Sequence, residues 1–309
     1  MVTDGGPVLV IAAPGQGAQS PGFLRPWLEI PGAAERLDCW SDLCGVDLIR
    51  MGTLAGAAEI TDTAVAQPLL VATALLVAER IAGPDIVAGH SVGELAAGAI
   101  AGVLTPEDAI RLTAIRAKAM AMATRAAPTG MTVLLGGDED AVLAAIARHG
   151  LTPANVNAPG QIVAAGTLAQ LKMLAADPPP DARLRPLRVA GAFHTAHMAP
   201  AVDALAAAAA GLTAQDPTMT LLSNRDGGVV TDGRDWLDRV VAQVAAPVRW
   251  DRCMQTMARL GATVLIELPP AGTLVGLARR VLPGVRCIAL RSPDQLDAVT
   301  IPAGGSSAS

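Results

Sequence analysis

Ser91 stands between Gly89 and Gly93 at the G-x-S-x-G spacing, inside the stretch D-I-V-A-G-H-S-V-G-E-L of residues 85–95. Residues 86–88 are a short apolar run that reads as a buried strand, and from Glu94 onward the residues are good helix formers. A strand, a sharp turn and a helix are what a nucleophile elbow needs: the turn lifts a hydroxyl out of the backbone for attack on an acyl carbon. A side chain at either glycine would crowd that turn. The helix that follows aims its N-terminal N–H groups at the serine, where negative charge develops during acyl transfer. The plainer alternative is a glycine-rich turn carrying an ordinary serine.

A serine nucleophile needs a base. The chain has four histidines: His90, His149, His194 and His197. His90 adjoins the serine, so its side chain should point away from it. His149 ends an expected helix, where a cation suits the dipole. His194 and His197, in G-A-F-H-T-A-H, remain as candidates, and spacing does not choose between them. Arg116 is one of four basic residues on an expected helix from Thr105 to about Arg125, and spacing does not single it out either. Gln67 lies in an apolar helical pattern, where an amide is more often a satisfied core group than a ligand contact.

These residues need a scaffold. Residues 8–13 form an unbroken apolar run, as in a buried parallel strand, and lead into P-G-Q-G-A-Q. In an open α/β sheet such loops lie at the carboxyl edge of the strands, where ligands bind. The loop lacks the third glycine of a dinucleotide fingerprint. Helices are expected over 32–49 with a break near Gly45, and over 61–82 with Pro68 in the first turn. Thr105-Pro106-Glu107-Asp108 is a strong helix start.

Strands are then expected at 129–137, 153–156, 161–165 and 182–189, with helices at 139–149 and 168–176 and a loop at 157–160. This alternation over about sixty residues suggests a small α+β unit inserted in a larger fold. Helices at 198–212, 235–245, 250–260 and 274–282 and strands at 220–223, 263–268 and 286–290 complete the pattern. Residues 301–309, rich in Gly and Ser, are expected to be disordered.

Composition narrows the classes. Of 309 residues, 51% are hydrophobic and only 2% aromatic, with no tyrosine, so the core must be mostly aliphatic, which favours layered α/β packing. A net charge of −5 argues against a nucleic-acid groove. The four cysteines have neither zinc-site nor disulfide-framework spacing, which suggests reduced thiols, no metal and a cytoplasmic protein. The N-terminus lacks a signal-peptide pattern, and the longest apolar stretch, 86–104, is interrupted by His90 and Glu94, so no membrane span is expected.

Taken together, G-Q-G-A-Q, the G-H-S-V-G elbow, Arg116, Asn157 and G-A-F-H resemble, in family order, the malonyl-CoA:acyl-carrier-protein transacylases of bacterial type II fatty acid synthesis. The resemblance covers about residues 8 to 290 and looks closest to actinobacterial members. It implies an α/β-hydrolase-like core with a parallel sheet (residues 1–128 and 191–300) and a small ferredoxin-like subdomain (129–190). It implies that Ser91 carries the acyl group, that His194 moves the proton, and that the main-chain carbonyl of Gln243 orients the histidine. The N–H groups of Gln16 and Val92 would form the oxyanion hole, and Arg116 would clamp the malonyl carboxylate. Gln67 would lie near the acyl pocket and Asn155 and Asn157 near the CoA arm. Phe193 resembles the pattern that goes with malonyl over methylmalonyl.

Malonyl-CoA and acyl carrier protein are the implied partners, with CoA thioester as substrate and no cofactor. Ala117 and Thr195 stand where many relatives have Gly and Ser, modest departures. A trans-acting acyltransferase for polyketide carriers would share every motif. A serine hydrolase fits Arg116 poorly, since the acyl pockets of lipases and esterases are apolar. A non-catalytic binding module is the remaining alternative.

Overall fold

The computed structural model describes residues 6–299; the expected disorder of 301–309 lies outside them. The first strand, β1 (Val8–Ala13), is followed by α1 (Ala33–Cys44), α2 (Leu48–Thr53), α3 (Ala57–Thr61) and α4 (Thr63–Ala78). Then come β2 (Ile86–Gly89), α5 (Gly93–Ile100) and α6 (Pro106–Ala123). The next stretch holds β3 (Thr129–Gly136), α7 (Glu139–Arg148), β4 (Thr152–Ala158), β5 (Gln161–Thr167), α8 (Leu168–Ala176) and β6 (Ala182–Pro186). The chain continues through α9 (Ala199–Ala210), β7 (Thr220–Leu222), β8 (Val229–Val230), α10 (Gly233–Gln243) and β9 (Val248–Arg249). It closes with α11 (Trp250–Arg259), β10 (Ala262–Glu267), α12 (Thr273–Val281) and β11 (Arg286–Ala289).

The larger sheet has the order β11-β10-β1-β2-β7-β8 and is parallel except at β8. Its central strands β1 and β2 are buried along nearly their whole length, as their unbroken apolar sequence requires. Helices cover both faces. One aliphatic core surrounds α4, α5 and α6 and includes Trp27, Trp40 and Trp236; a second lies under α11 and α12 around Trp250.

The smaller sheet has the order β6-β3-β5-β4-β9. Its first four strands are antiparallel, in the arrangement of a ferredoxin-like β-α-β-β-α-β unit. The sheet is extended by β9, which comes from much later in the chain and pairs in parallel with β4, Asn155 opposite Val248.

Four local expectations are corrected. Pro68 lies inside α4 instead of in its first turn, because Asp62 starts that helix at Thr63 by accepting a hydrogen bond from the Ala64 N–H. A proline there removes one helical bond, and near-complete burial of α4 between its neighbours offsets the loss. Strand β4 runs through Asn157 to Ala158, so Asn157 sits on a strand and only Pro159-Gly160 turns the hairpin. The strand expected to reach Val189 ends at Pro186. The two-residue strands β8 and β9 were not expected, being too short to carry a periodic pattern. Among the described residues no helix is long and apolar enough to cross a membrane.

Candidate active site

Strands β1 and β2 end side by side, Ala13 opposite Gly89, so the loops that follow them are neighbours. The His90 N–H donates to the Ala13 carbonyl at 2.9 Å and ties the loops together. Ser91 then takes left-handed backbone, φ 54°, before α5 begins at Gly93. A Cβ on Gly89 would run into the Gly93 carbonyl group, and one on Gly93 into the Ala13 carbonyl, so the two glycines are required by close backbone approach.

The Ser91 hydroxyl meets His194 Nε2 at 2.7 Å. His194 Nδ1 lies 2.9 Å from the main-chain carbonyl of Gln243 at the end of α10. A carbonyl only accepts, so Nδ1 carries the proton and Nε2 is left to accept from the serine. Burial, and next the charge of Arg116, hold the His194 imidazole down to about 3, so it is neutral and able to take a proton. His197 lies one turn further on, outside the cleft, in a short 3-10 turn capped by Thr195.

Arg116, on α6, is buried and reaches the same hydroxyl, Nη2 to Ser91 Oγ at 3.3 Å. Its Nη1 donates to Gln67 Oε1 at 2.6 Å, and Nη2 also donates to Gln243 Oε1 at 3.2 Å. Burial pulls its pKa down to about 10, against the opposing pull of Glu94, which leaves it cationic at neutral pH.

Gln16 is held by its side chain, which donates to the Thr61 carbonyl at 3.3 Å and to Thr63 Oγ1 at 3.4 Å. Gln19 braces the same loop: it accepts from the Gly17 N–H and donates to the Ile60 carbonyl. The backbone N–H groups of Gln16 and Val92 have no protein acceptor among the described residues. Both residues line the cleft that holds Ser91.

Gln16, Gln67, Ser91, Val92, Arg116 and His194 open onto one cleft of about 250 Å³ between the two sheets. Phe193, Asn155 and Asn157 line it, with Leu187 and Val189 beyond β6 and the first turn of α12 closing the rim. That turn is fixed by Glu267, whose carboxylate accepts from the N–H groups of Gly272, Leu274 and Val275. Asn157 Oδ1 is engaged by His90 Nε2 at 2.9 Å, and the His90 ring packs edge-on against Trp250.

Two site residues escape sequence reasoning. Asn224, in a segment that reads as a turn, is fully buried; its Oδ1 accepts from the Ser91 N–H at 2.7 Å and its Nδ2 donates to the Gly89 carbonyl at 2.7 Å. Glu94 reads as a first-turn acid of α5, yet is 1% exposed and bonded to Asn224 and Gln243. Their partners are more than a hundred residues away, so no local signal marks them. The side chain of Gln243 was likewise unexpected as a partner of Arg116.

A serine on a backbone elbow, with a neutral imidazole against its hydroxyl and a guanidinium beside both, has the parts that serine-dependent acyl transfer needs, and the chain belongs to the acyl transferase family, whose acyl transferase domain matches residues 13–287. Within that family it belongs with the malonyl CoA-acyl carrier protein transacylases of actinobacterial type. The protein of that name from Mycobacterium tuberculosis is 54% identical over 297 residues, 94% of this chain and 98% of the relative. A crystal structure of MCAT from Mycobacterium tuberculosis superposes with a TM-score of 0.92 at 53% identity, covering 95% of this chain and 99% of that one. The structure PlMCAT:AntF, a type II PKS acyl-carrier protein in complex with its malonyl-transacylase, matches with a TM-score of 0.88 at 28% identity, covering 94% and 98%.

Proposed function

We propose that this protein moves a malonyl group from malonyl-CoA to the phosphopantetheine thiol of acyl carrier protein, through a malonyl ester on Ser91. The observation that carries the reading is the position of one hydroxyl between a neutral base and a cation: Ser91 Oγ lies 2.7 Å from His194 Nε2 and 3.3 Å from Arg116 Nη2.

In the first half-reaction His194 takes the Ser91 proton as Oγ attacks the thioester carbonyl. The tetrahedral oxyanion is received by the Gln16 and Val92 N–H groups; one such donor is worth about 10²–10³ in rate. Collapse expels CoA thiolate, which takes the proton from His194. In the second half-reaction His194 deprotonates the carrier thiol, the thiolate attacks the ester, and Ser91 regains its proton on leaving. Splitting thioester exchange in this way replaces one difficult step by two easier ones. The Gln243 carbonyl stabilises the imidazolium formed between steps.

Arg116 supplies the choice of acyl group. The guanidinium pairs with the free malonyl carboxylate in a bidentate geometry and gives an acetyl group nothing to bond. Phe193, buried beside His194, narrows the space for a 2-methyl branch and favours malonyl over methylmalonyl. Gln67 fixes Arg116, and Asn155 and Asn157 face the CoA arm. The chemistry needs no metal or cofactor. A cytoplasmic setting belongs to this proposal and rests on the family and its CoA-thioester substrate.

The test is intact mass after mixing with malonyl-CoA, acetyl-CoA and methylmalonyl-CoA separately. A malonyl adduct on the wild type and none on Ser91→Ala is expected; a wild type that stays unmodified rejects the reading. Service to a polyketide carrier is a second reading, favoured by the likeness to a transacylase in complex with a type II PKS acyl-carrier protein. Transfer rates to carriers of both kinds decide between them.

A further inference from the structure

We infer that Glu94 is a positioning residue for malonyl selection: it holds the Gln243 carboxamide with its oxygen toward Arg116 and so fixes the guanidinium beside Ser91. The inference rests on the proposed malonyl transfer and adds to it a residue that touches neither substrate nor reacting atoms.

Both carboxylate oxygens of Glu94 receive donors. Oε1 accepts from the Asn224 N–H at 2.7 Å, and Oε2 accepts from Gln243 Nε2. A carboxamide at this position has only one acceptor oxygen, so its NH2 would face one of these donors. Glu94 therefore decides which way round Gln243 sits. With Nε2 on the carboxylate, Gln243 Oε1 faces Arg116 Nη2 at 3.2 Å. Turned over, the amide would set NH2 against guanidinium and oxygen against carboxylate, unfavourable at both ends.

Arg116 is thus held by two neutral amide oxygens, Gln67 Oε1 and Gln243 Oε1, and forms no direct ion pair among the described residues. That arrangement suits a residue that must accept a carboxylate from outside. A carboxylate in direct contact would compete with the malonyl group, whereas a bare guanidinium in a buried site would be costly. Glu94, one amide removed, orients the Gln243 oxygen that Arg116 meets without occupying the guanidinium's donors.

The experiment compares Ser91 acylation by malonyl-CoA and acetyl-CoA in the wild type and Glu94→Gln, using rapid quench and intact mass. If Glu94 acts through Arg116, the malonyl-to-acetyl ratio of kcat/KM falls at least about tenfold, most of it as a rise in KM for malonyl-CoA. A merely structural role lowers both substrates together and leaves the ratio unmoved, which overturns the inference. Should Glu94→Gln fail to fold by circular dichroism, Gln243→Met is read in the same way. It cuts the same relay from the other end and keeps the main-chain carbonyl that orients His194. A preserved ratio in Gln243→Met overturns the inference, and a lost ratio supports it. Wild type that malonyl-CoA does not label sinks the parent reading; labelled wild type with an unmoved ratio in the variant sinks this inference alone.

Discussion

Ser91 and His194 are 103 residues apart and meet at 2.7 Å, and each takes a left-handed backbone, with φ of 54° and 61°. Asp181 is the only other non-glycine residue with positive φ among the described residues. Such conformations cost about 1–3 kcal/mol each and persist only where the surroundings enforce them. Here the surroundings are identifiable. Asn224 bonds the Gly89 carbonyl and the Ser91 N–H, on either side of His90, and the Gln243 carbonyl holds the far nitrogen of His194. Within the cleft the strain falls on the two groups that must face each other.

This strain can be measured at Ser91 by comparing two variants that both lack the hydroxyl. Ser91→Ala keeps a Cβ at positive φ, and Ser91→Gly removes it. Neither should form an adduct with malonyl-CoA by intact mass. In urea unfolding the glycine variant should be the more stable by about 1 kcal/mol, the left-handed penalty of a Cβ less the greater chain entropy of glycine. Alanine equal to or more stable than glycine would mean that the elbow is not strained.

The state of His194 sets the pH dependence. Its folded pKa is lowered from 6.5 to about 3, first by burial and then by Arg116. The neutral form is the base, so the rate of Ser91 acylation should stay level through pH 6.5, with its acid limb displaced well below. Single-turnover acylation across pH by quenched mass spectrometry checks this; a limb centred near 6.5 would mean an exposed imidazole. The linkage runs the same way. Because the folded pKa is depressed, His194 contributes stability above pH 6.5 that is lost as pH falls through about 3. His194→Ala should slow both half-reactions by about 10²–10⁴-fold, while His197→Ala, which alters a residue outside the cleft, should not.

How much of this was legible in the sequence follows from the range over which each signal acts. The elbow is local: an apolar strand, two glycines and a helix start within eleven residues, all set by near-neighbour sterics. The parallel sheet was legible for the same reason, since β1 and β2 are unbroken apolar runs and β10 carries one at residues 264–266. By spacing alone His194 and His197 were equivalent, and Arg116 was one charge among several on its helix. Only the resemblance to a family separated them. Asn224 and Glu94 were invisible because a buried polar group is defined by its partners, and theirs arrive through tertiary packing. Pro68 misled because propensity places proline in a first turn, whereas burial of α4 tolerates it further along.

The glycines of the elbow allow a further prediction about stability. A methyl group on Gly89 would collide with the backbone of Gly93 and Glu94, which β2 and α5 hold in place. Gly89→Ala should therefore cost about 3 kcal/mol or more, as overpacking against backbone does. Gly276 is the contrast. It lies within α12, has no positive φ, and nothing stands within 4 Å of an added Cβ. Gly276→Ala should raise stability by about 0.5–1 kcal/mol, through helix propensity and a less flexible unfolded chain. Urea midpoints for the pair check both signs.

Arg116 carries the claim about which acyl group is chosen. The malonyl carboxylate would gain two charge-assisted hydrogen bonds from the guanidinium, each worth about 1.5–3 kcal/mol, while an acetyl group gains neither. Arg116→Ala should therefore reduce malonyl transfer by about 10²–10³-fold more than acetyl transfer. Some loss is expected for both substrates, because Arg116 Nη2 also lies 3.3 Å from Ser91 Oγ and its removal leaves Gln67 and Gln243 short of a donor. Arg116→Lys should recover little of the malonyl preference. An ammonium offers no planar fork to a carboxylate and could not reach Gln67, Gln243 and substrate together. Rates of Ser91 labelling by both thioesters in the two variants give the comparison. Equal losses for malonyl and acetyl would mean that Arg116 supports the hydroxyl alone and that the carboxylate is recognised elsewhere in the cleft.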